Sequence, residues 1–332
     1  MINASDFVKL PYTPDLTEGG IAYAIRSLSY KQNQMSGSLY SRLRRIVGNT
    51  AVELAFRRYL NQQAVPYEVK EVTPFSNANH YDVSLGGHRC DIKTYITSKR
   101  NQIISMRQNP ELVLETLALI PDDEVDAANH LDQDLYFFAF LLGLTTNSME
   151  DIQKAVQAEQ RTFLIHPLRS DWARPDSWAP LERLTLKSEC PTPLTVEIGG
   201  LDADRNFISE GLLLNPLTRT FAKNQYYSLS YVQTDIVLPA RLGLHCARMR
   251  DVYLIQPHEW GNIWIYGMEI WLTGYMAHAE FRRKADHVFA GSKVFQYSKT
   301  QSRSFSVPVA NLYAIERLID QTKNWKMGNK FR

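Results

Sequence analysis

Apolar residues recur at three- and four-residue spacing along residues 36–59, the pattern of an amphipathic helix with one buried face. Gly48 and Asn49 interrupt this pattern. Because glycine weakens a helix and asparagine favours a helix cap, we predict one helix before this pair and a second that continues to about residue 61. A shorter helix is predicted over residues 20–30.

Two short stretches, residues 81–85 and 88–95, alternate in the manner of half-buried strands. Gly86-Gly87 separates them, and this dipeptide suits a two-residue hairpin turn because both positions need a positive φ. Counting outward from the turn predicts the register: Leu85 opposite His88, Ser84 opposite Arg89, Val83 opposite Cys90 and Asp82 opposite Asp91.

Helices and strands alternate through the rest of the first half. Residues 135–144 form a continuous apolar run, typical of a strand buried on both faces. This run and the hairpin predict an α/β fold whose mixed sheet is flanked by helices. The other elements predicted here are a strand at 67–72, a helix at 102–119, an acidic loop at 121–134, a helix at 149–160 and a strand at 162–166.

The pattern changes after residue 166. Residues 166–180 are rich in proline and tryptophan, and we interpret them as a linker. We therefore predict two domains, residues 1–165 and a β-rich region at residues 166–332. An alternative is that the later strands extend the first sheet. The elements predicted in this region are strands at 194–198, 226–232, 252–256, 263–266 and 269–272, and helices at 278–287 and 309–320.

Composition excludes several classes of protein. The chain has 332 residues, 44% hydrophobic and 22% charged, which are ordinary globular values. No apolar run approaches the roughly 20 residues that span a bilayer, and the first residues lack a signal-peptide pattern. Three widely spaced cysteines favour a reducing, cytoplasmic location over a disulfide or zinc framework. With a net charge of only +2, any nucleic-acid surface must be a local patch.

The predicted hairpin brings like charges together. Asp82 and Asp91 would lie directly opposite each other, an arrangement that is destabilising unless something uses both charges. Alternation places Lys93 on the face that carries Asp91. Two carboxylates suit Mg²⁺, and a nearby lysine suits the hydrolysis of a phosphodiester. The alternative is that the acids are solvated and that Asp91 simply pairs with Lys93.

A third acid would complete such a metal site. Glu53 is the leading candidate because its neighbours in the predicted helix are apolar, which is unusual for a solvated glutamate. Glu71, at the end of the strand before the hairpin, is the main rival, and Glu68 is another.

Basic residues near these acids are candidates for phosphate binding. Lys99 and Arg100 follow the strand that carries Lys93, and Arg57 and Arg58 follow Glu53. Contacts from such residues to phosphates give affinity that does not depend on sequence. For Arg57 and Arg58, the polar face of an amphipathic helix is an equally good explanation.

These residues carry a resemblance to a known family. Asp82, then Asp91-Ile92-Lys93 across a tight hairpin, and Glu53 on the preceding helix resemble the PD-(D/E)xK nuclease superfamily, which includes many restriction endonucleases. The resemblance covers about residues 40–140, and Tyr81 stands where the family motif often has proline. It implies a restriction-endonuclease-like core in which Asp82, Asp91 and Glu53 bind the metal and Lys93 is the catalytic lysine.

The function that the resemblance implies is a magnesium-dependent endonuclease that hydrolyses DNA, with Mn²⁺ as a substitute metal. It also implies a restriction or phage-defence role, a homodimer and a partner methyltransferase, with residues 166–332 helping to select the substrate. Two alternatives stay open: a structure-selective repair, recombination or transposon-end nuclease, and a non-catalytic nucleic-acid-binding protein.

Overall fold

The structure is a computed structural model, and it describes residues 2–31, 38–69, 83–125 and 131–329. The chain is mixed α/β with several sheets. The helices of at least one α-turn are α1 (Pro14–Lys31), α2 (Leu39–Gln62), α3 (Arg100–Gln108), α4 (Asp122–Val125), α5 (Met149–Gln157), α6 (Ser170–Ala173), α7 (His278–Lys284) and α8 (Ile315–Asn329). Among the described residues, no helix is long and apolar enough to cross a membrane.

The strands are β1 (Val8–Leu10), β2 (Val83–Leu85), β3 (His88–Thr97), β4 (Leu117–Pro121), β5 (Leu135–Thr145), β6 (Leu164–Pro167), β7 (Thr185–Ser188), β8 (Leu194–Leu201), β9 (Phe207–Leu214), β10 (Arg219–Phe221), β11 (Ser228–Thr234), β12 (Leu242–His245), β13 (Tyr253–Ile255), β14 (Gly261–Asn262), β15 (Ile265–Ala277), β16 (Asp286–Val288) and β17 (Ser304–Pro308).

The chain divides into two compact units. The first unit combines Met1–Gly20, Arg45–Leu144 and Ile265–Arg332, and the second combines Ile21–Arg44 and Thr145–Trp264. This division does not coincide with the predicted boundary near residue 166. The difference arises because β15 joins the sheet that contains β5, which is the alternative in which later strands extend the first sheet.

The first unit is built on a five-stranded sheet in the order β1-β15-β5-β3-β2. β3 runs parallel to β5 and antiparallel to β2. A parallel pair needs a crossover connection, and α3 lies in the chain between β3 and β5. A second sheet of this unit has the order β16-β17-β4. The mixed sheet predicted from the sequence is therefore present.

The hairpin of β2 and β3 has the predicted register in its described part. Leu85 lies opposite His88, Ser84 opposite Arg89 and Val83 opposite Cys90. The connecting residues Gly86 and Gly87 have φ angles of 57° and 84°, as a two-residue turn of this kind requires. The fourth predicted pair includes Asp82, which lies outside the described residues. Of the strand predicted at 67–72, Glu68 forms an antiparallel bridge with Ser84.

The predicted break at Gly48 and Asn49 is wrong, because α2 continues through both residues. Packing explains why a glycine stands inside this helix. A Cβ on Gly48 would lie 2.7 Å from the Cδ1 atom of Ile96 and 2.9 Å from a methyl carbon of Leu141. The glycine therefore lets the helix lie close against β3 and β5, and this contact outweighs its low helix propensity.

The predicted helix at 102–119 is also wrong beyond its first half. α3 ends at Gln108, two residues before Pro110, and a 3-10 turn and strand β4 follow. Proline disfavours the helical conformation of the residue before it, so the helix cannot continue. The acidic loop predicted at 121–134 contains one helical turn, α4.

The second unit contains two sheets, with the orders β14-β6-β11-β8-β9 and β10-β7-β12-β13. Its core includes Trp172, Leu186, Ile198 and Val232. Residues 166–180, interpreted as a linker, are part of this unit: β6 ends and α6 forms within them, and Trp172 is 1% exposed. The pattern rich in proline and tryptophan does not mark a linker here, because Trp172 is part of the hydrophobic core of the second unit.

Candidate active site

The alternation of β3 places Asp91, Lys93 and Tyr95 on one face of the first unit's sheet. In the neighbouring strand β5, Tyr136 and Phe138 are the register partners of Asp91 and Lys93. Tyr95, Tyr136 and Phe138 belong to one hydrophobic core cluster. The two charged residues therefore lie beside an apolar core, where an unpaired charge is costly.

Lys93 forms two ion pairs on this face. Its Nζ lies 2.7 Å from Oδ2 of Asp91 and also contacts Oε2 of Glu124, which belongs to α4. The Lys93 side chain is 15% exposed, whereas those of Asp91 and Glu124 are 24% and 47% exposed. Both carboxylates thus converge on one buried ammonium group and still reach solvent.

The two carboxylates determine the protonation state of Lys93. Burial alone would lower the pKa of its amino group, but the charges of Asp91 and Glu124 outweigh burial and raise this pKa well above its usual value. Lys93 is therefore a cation at neutral pH. It is placed to donate hydrogen bonds and to neutralise negative charge, and it cannot accept a proton as a general base.

Tyr136 forms the aromatic wall of the site. The Nζ atom of Lys93 lies 5.8 Å from the centre of its ring, within the range of a cation–π contact. Burial raises the pKa of the Tyr136 hydroxyl, with a further contribution from Asp91 that Lys93 opposes. The same ring meets Phe281 of α7 edge-on, with ring centroids 5.5 Å apart. Tyr136 is thus a neutral, fixed side chain.

Glu53 lies on the helix that covers the other face of the sheet. α2 packs on Ile96 and Leu141 through Gly48 and on Phe137 through Phe56, and these strand residues alternate with those of the Lys93 face. Arg57 donates a hydrogen bond to Oε1 of Glu53. Burial raises the pKa of the Glu53 carboxyl, and the charge of Arg57 only partly opposes this. The structure brings Asp91 and Lys93 together and places Glu53 in an ion pair on α2.

The four predicted phosphate-binding residues fall into two groups. Lys99 and Arg100 are exposed at the start of α3, directly after β3. Arg58 bonds to Oγ1 of Thr13 at 2.7 Å and pairs with Asp15, and Arg57 pairs with Glu53. Arg57 and Arg58 are thus held by contacts within the chain, which is consistent with the alternative that they form the polar face of an amphipathic helix.

The described residues supply only part of the predicted metal site. Asp82 and Glu71 lie outside them. Within residues 2–31, 38–69, 83–125 and 131–329, no three His, Cys, Asp or Glu side chains form a group arranged to hold a metal ion. The Asp91 and Glu124 carboxylates both contact the Lys93 ammonium group, and carboxylate oxygens are the donor type that a small hard cation prefers.

Sequence reasoning missed Glu124 and Tyr136. Glu124 belongs to a run of three acids, Asp122, Asp123 and Glu124, which indicated only a solvated loop. Tyr136 is the second residue of the buried strand β5, and only the pairing of β5 with β3, which no local pattern predicts, shows that it lies beside Asp91. No protein-family model, curated protein or solved structure matches the chain.

Proposed function

We propose that the protein is a metal-dependent nuclease that hydrolyses phosphodiester bonds of DNA at the face formed by Asp91, Lys93 and Glu124. The observation that carries the proposal is the geometry of Lys93. This ammonium group is largely buried, is paired with two carboxylates that keep solvent contact, and belongs to the second strand of the Gly-Gly hairpin. A buried cation of this kind suits the stabilisation of charge on a phosphate.

The order of elements gives further support. A long helix, an antiparallel hairpin, a second helix and a strand parallel to the hairpin's second strand follow in the order α2, β2, β3, α3 and β5, with β4 and α4 between the last two. This is the order that the resemblance to PD-(D/E)xK nucleases implies. The restriction or phage-defence role, the homodimer and the partner methyltransferase stay predictions of that resemblance.

Each residue has a proposed role. Asp91 and Asp82 bind the metal, and Glu124, which contacts Lys93, supplies a further carboxylate. A metal-binding role for Glu53, which lies on α2, stays a prediction of the resemblance. When bound, Mg²⁺ or Mn²⁺ supplies an activated water and offsets charge on the phosphate. Lys93, protonated, orients the attacked phosphate through hydrogen bonds and neutralises its developing charge. Tyr136 holds the Lys93 ammonium group in place and limits water on that side.

A cleavage assay tests this proposal directly. Duplex plasmid, branched DNA, single-stranded DNA and RNA are incubated with Mg²⁺ or with EDTA, using wild type, Lys93→Ala and Asp91→Asn. Lys154→Ala is the matched control, because this exposed lysine also pairs with a glutamate, at 2.6 Å, but lies on α5. We expect metal-dependent cutting that falls by at least about 100-fold in the first two variants, as is typical when a charge-stabilising group is lost, and not in the control.

The main alternative is a nucleic-acid-binding protein whose acids are structural. It is favoured by the ion pair between Asp91 and Lys93, which by itself satisfies both charges. Under this alternative, the wild-type protein cuts none of the substrates, and the only effect of Lys93→Ala is a loss of stability. Discrete products from duplex plasmid favour a sequence-specific enzyme, whereas preferred cutting of branched DNA favours a repair or recombination enzyme.

A further inference from the structure

Positive charge is concentrated in one stretch of the first unit, residues 282–303, which we call the basic–aromatic segment. It contains six Lys or Arg residues and one acid, Asp286. Because the whole chain has 37 Lys and Arg against 35 Asp and Glu, the rest of the chain has more acidic than basic residues. All six cations are exposed: Arg282, Arg283, Lys284, Lys293, Lys299 and Arg303. Lys284 and Arg303 also pair with Glu280 and Asp122.

An exposed aromatic ring stands among these charges. Phe289 is 66% exposed, although burying such a ring would be strongly favourable. Its backbone is fixed, because Thr300 Oγ1 donates a hydrogen bond to the Phe289 carbonyl at 2.7 Å. The Gly291 amide donates to the Thr300 carbonyl at 2.8 Å, and Thr300 itself is buried. The turn thus presents a ring to solvent in a defined position.

The basic–aromatic segment borders the candidate active site at two points. Nε of Arg303 lies 2.9 Å from Oδ2 of Asp122, two residues before Glu124. Tyr297, 42% exposed, meets Tyr95 edge-on with ring centroids 6.5 Å apart, and Tyr95 lies on the Lys93 face of β3. A polymer bound along the segment would therefore pass beside Asp122 and Tyr95, which border the Lys93 site.

We propose that the basic–aromatic segment binds a single nucleic-acid strand, with Phe289 stacking on an unpaired base and the six cations contacting phosphates. Phosphates match the charge of the segment, and a planar exposed ring stacks on a base face. In a duplex these faces are covered by neighbouring bases, so the ring selects an unpaired strand. This assignment rests on the proposed function in one respect: the bound strand is the substrate of the Lys93 site.

The experiment measures binding of fluorescent oligo(dT) and oligo(U) in EDTA, where no cleavage occurs. Wild type is compared with Phe289→Ala and with a double variant, Arg282→Gln with Arg283→Gln. Phe221→Ala is the matched aromatic control, since this ring is 49% exposed and has Arg183 over its face, but lies on β10 of the second unit. Thermal unfolding checks that each variant is folded.

We expect Phe289→Ala to weaken binding about tenfold without changing the slope of log affinity against log salt. The double arginine variant should reduce that slope by about 0.7 for each lost phosphate contact. Phe221→Ala should bind as wild type does. Equal affinities for wild type and Phe289→Ala overturn the proposal, and so does an equal loss in Phe221→Ala. Binding to anionic lipid vesicles that depends on the same residues also overturns it.

Failure of this proposal and failure of the nuclease proposal give different results. A protein that binds oligonucleotides through Phe289 but cuts nothing with Mg²⁺ contradicts only the nuclease. If Lys93→Ala abolishes cleavage but Phe289→Ala changes neither binding nor cleavage, only the role of the basic–aromatic segment is contradicted.

Discussion

Glu53 is held in a state that costs stability. Its carboxyl is mostly buried on α2, and burial raises its pKa despite the ion pair with Arg57. A raised pKa means that the folded protein binds this proton more tightly than the unfolded chain does. The unfolding free energy therefore falls as pH rises from about 4.5, the usual value for glutamate, through the higher pKa of the folded state.

Glu53→Gln should therefore stabilise the protein at pH 7. The amide removes the buried charge and still accepts a hydrogen bond from Arg57, so we expect a gain of about 0.5–1 kcal/mol in unfolding free energy. The gain should vanish below pH 4.5, where the wild-type carboxyl is protonated in both states. Urea unfolding between pH 4 and pH 8 measures it. A loss of stability at pH 7 would show that the Arg57 pair outweighs burial, and unchanged cleavage would remove Glu53 from the site.

Which residues of the site could be predicted depends on how local their arrangement is. The pairing of Asp91 with Lys93 follows from strand alternation and a two-residue turn, both of which are local properties. Glu124 could not be found in this way. Three consecutive acids occupy α4, and only the tertiary packing of that turn, beside β4 and β17, decides that the third one meets Lys93.

Within the first unit, the start of α1 and the middle of α2 make a contact that leaves no room for an added side chain. A Cβ on Gly20 of α1 would lie 2.4 Å from the carbonyl oxygen of Val47 in α2, a backbone atom that moves only if the helix moves. A Cβ on the adjacent Gly19 would meet a methyl carbon of Leu54 at 2.6 Å, and that side chain can change rotamer. The two neighbouring glycines thus differ in what a methyl group would displace.

Gly20→Ala should lower the unfolding free energy by about 1–3 kcal/mol, the usual cost of overpacking, because the clash exceeds the gain in helix propensity. Gly19→Ala, the control on the same helix, should cost distinctly less or even stabilise. Thermal and urea unfolding of both variants measures the difference. Equal unfolding free energies for Gly20→Ala and Gly19→Ala would show that α1 can shift away from Val47 without a loss of stability.

Sequence patterns predicted elements well where burial leaves a regular run of apolar residues or a turn has typical residues, and poorly where tertiary contacts override helix propensity. β5 and the hairpin follow directly from apolar runs and turn residues. The continuity of α2 through Gly48 does not, since the reason lies in Ile96 and Leu141, about 50 and 90 residues further along the chain. The pattern also divided β15 into two strands at Gly267, whose φ of 55° marks a local irregularity within one strand.

At the scale of the whole molecule, each compact unit is assembled from separated segments of the chain. β15, near the C-terminal end, lies between β1 and β5 in the first unit's sheet. Its side chains at Ile270, Trp271 and Leu272 are fully buried. A sequence pattern identifies such a strand but not its neighbours, because pairing over this distance leaves no local signal.

The fragment of residues 1–165, predicted from sequence to be a domain, should therefore not fold alone. It lacks β15, so β1 has no partner strand and β5 exposes an apolar edge. We expect no cooperative thermal transition by circular dichroism, in contrast to the full chain measured in parallel. Co-expression with residues 166–332 should restore a soluble complex, because that fragment supplies β15. A fragment of residues 1–165 that unfolds cooperatively by itself would show that the first unit does not depend on β15.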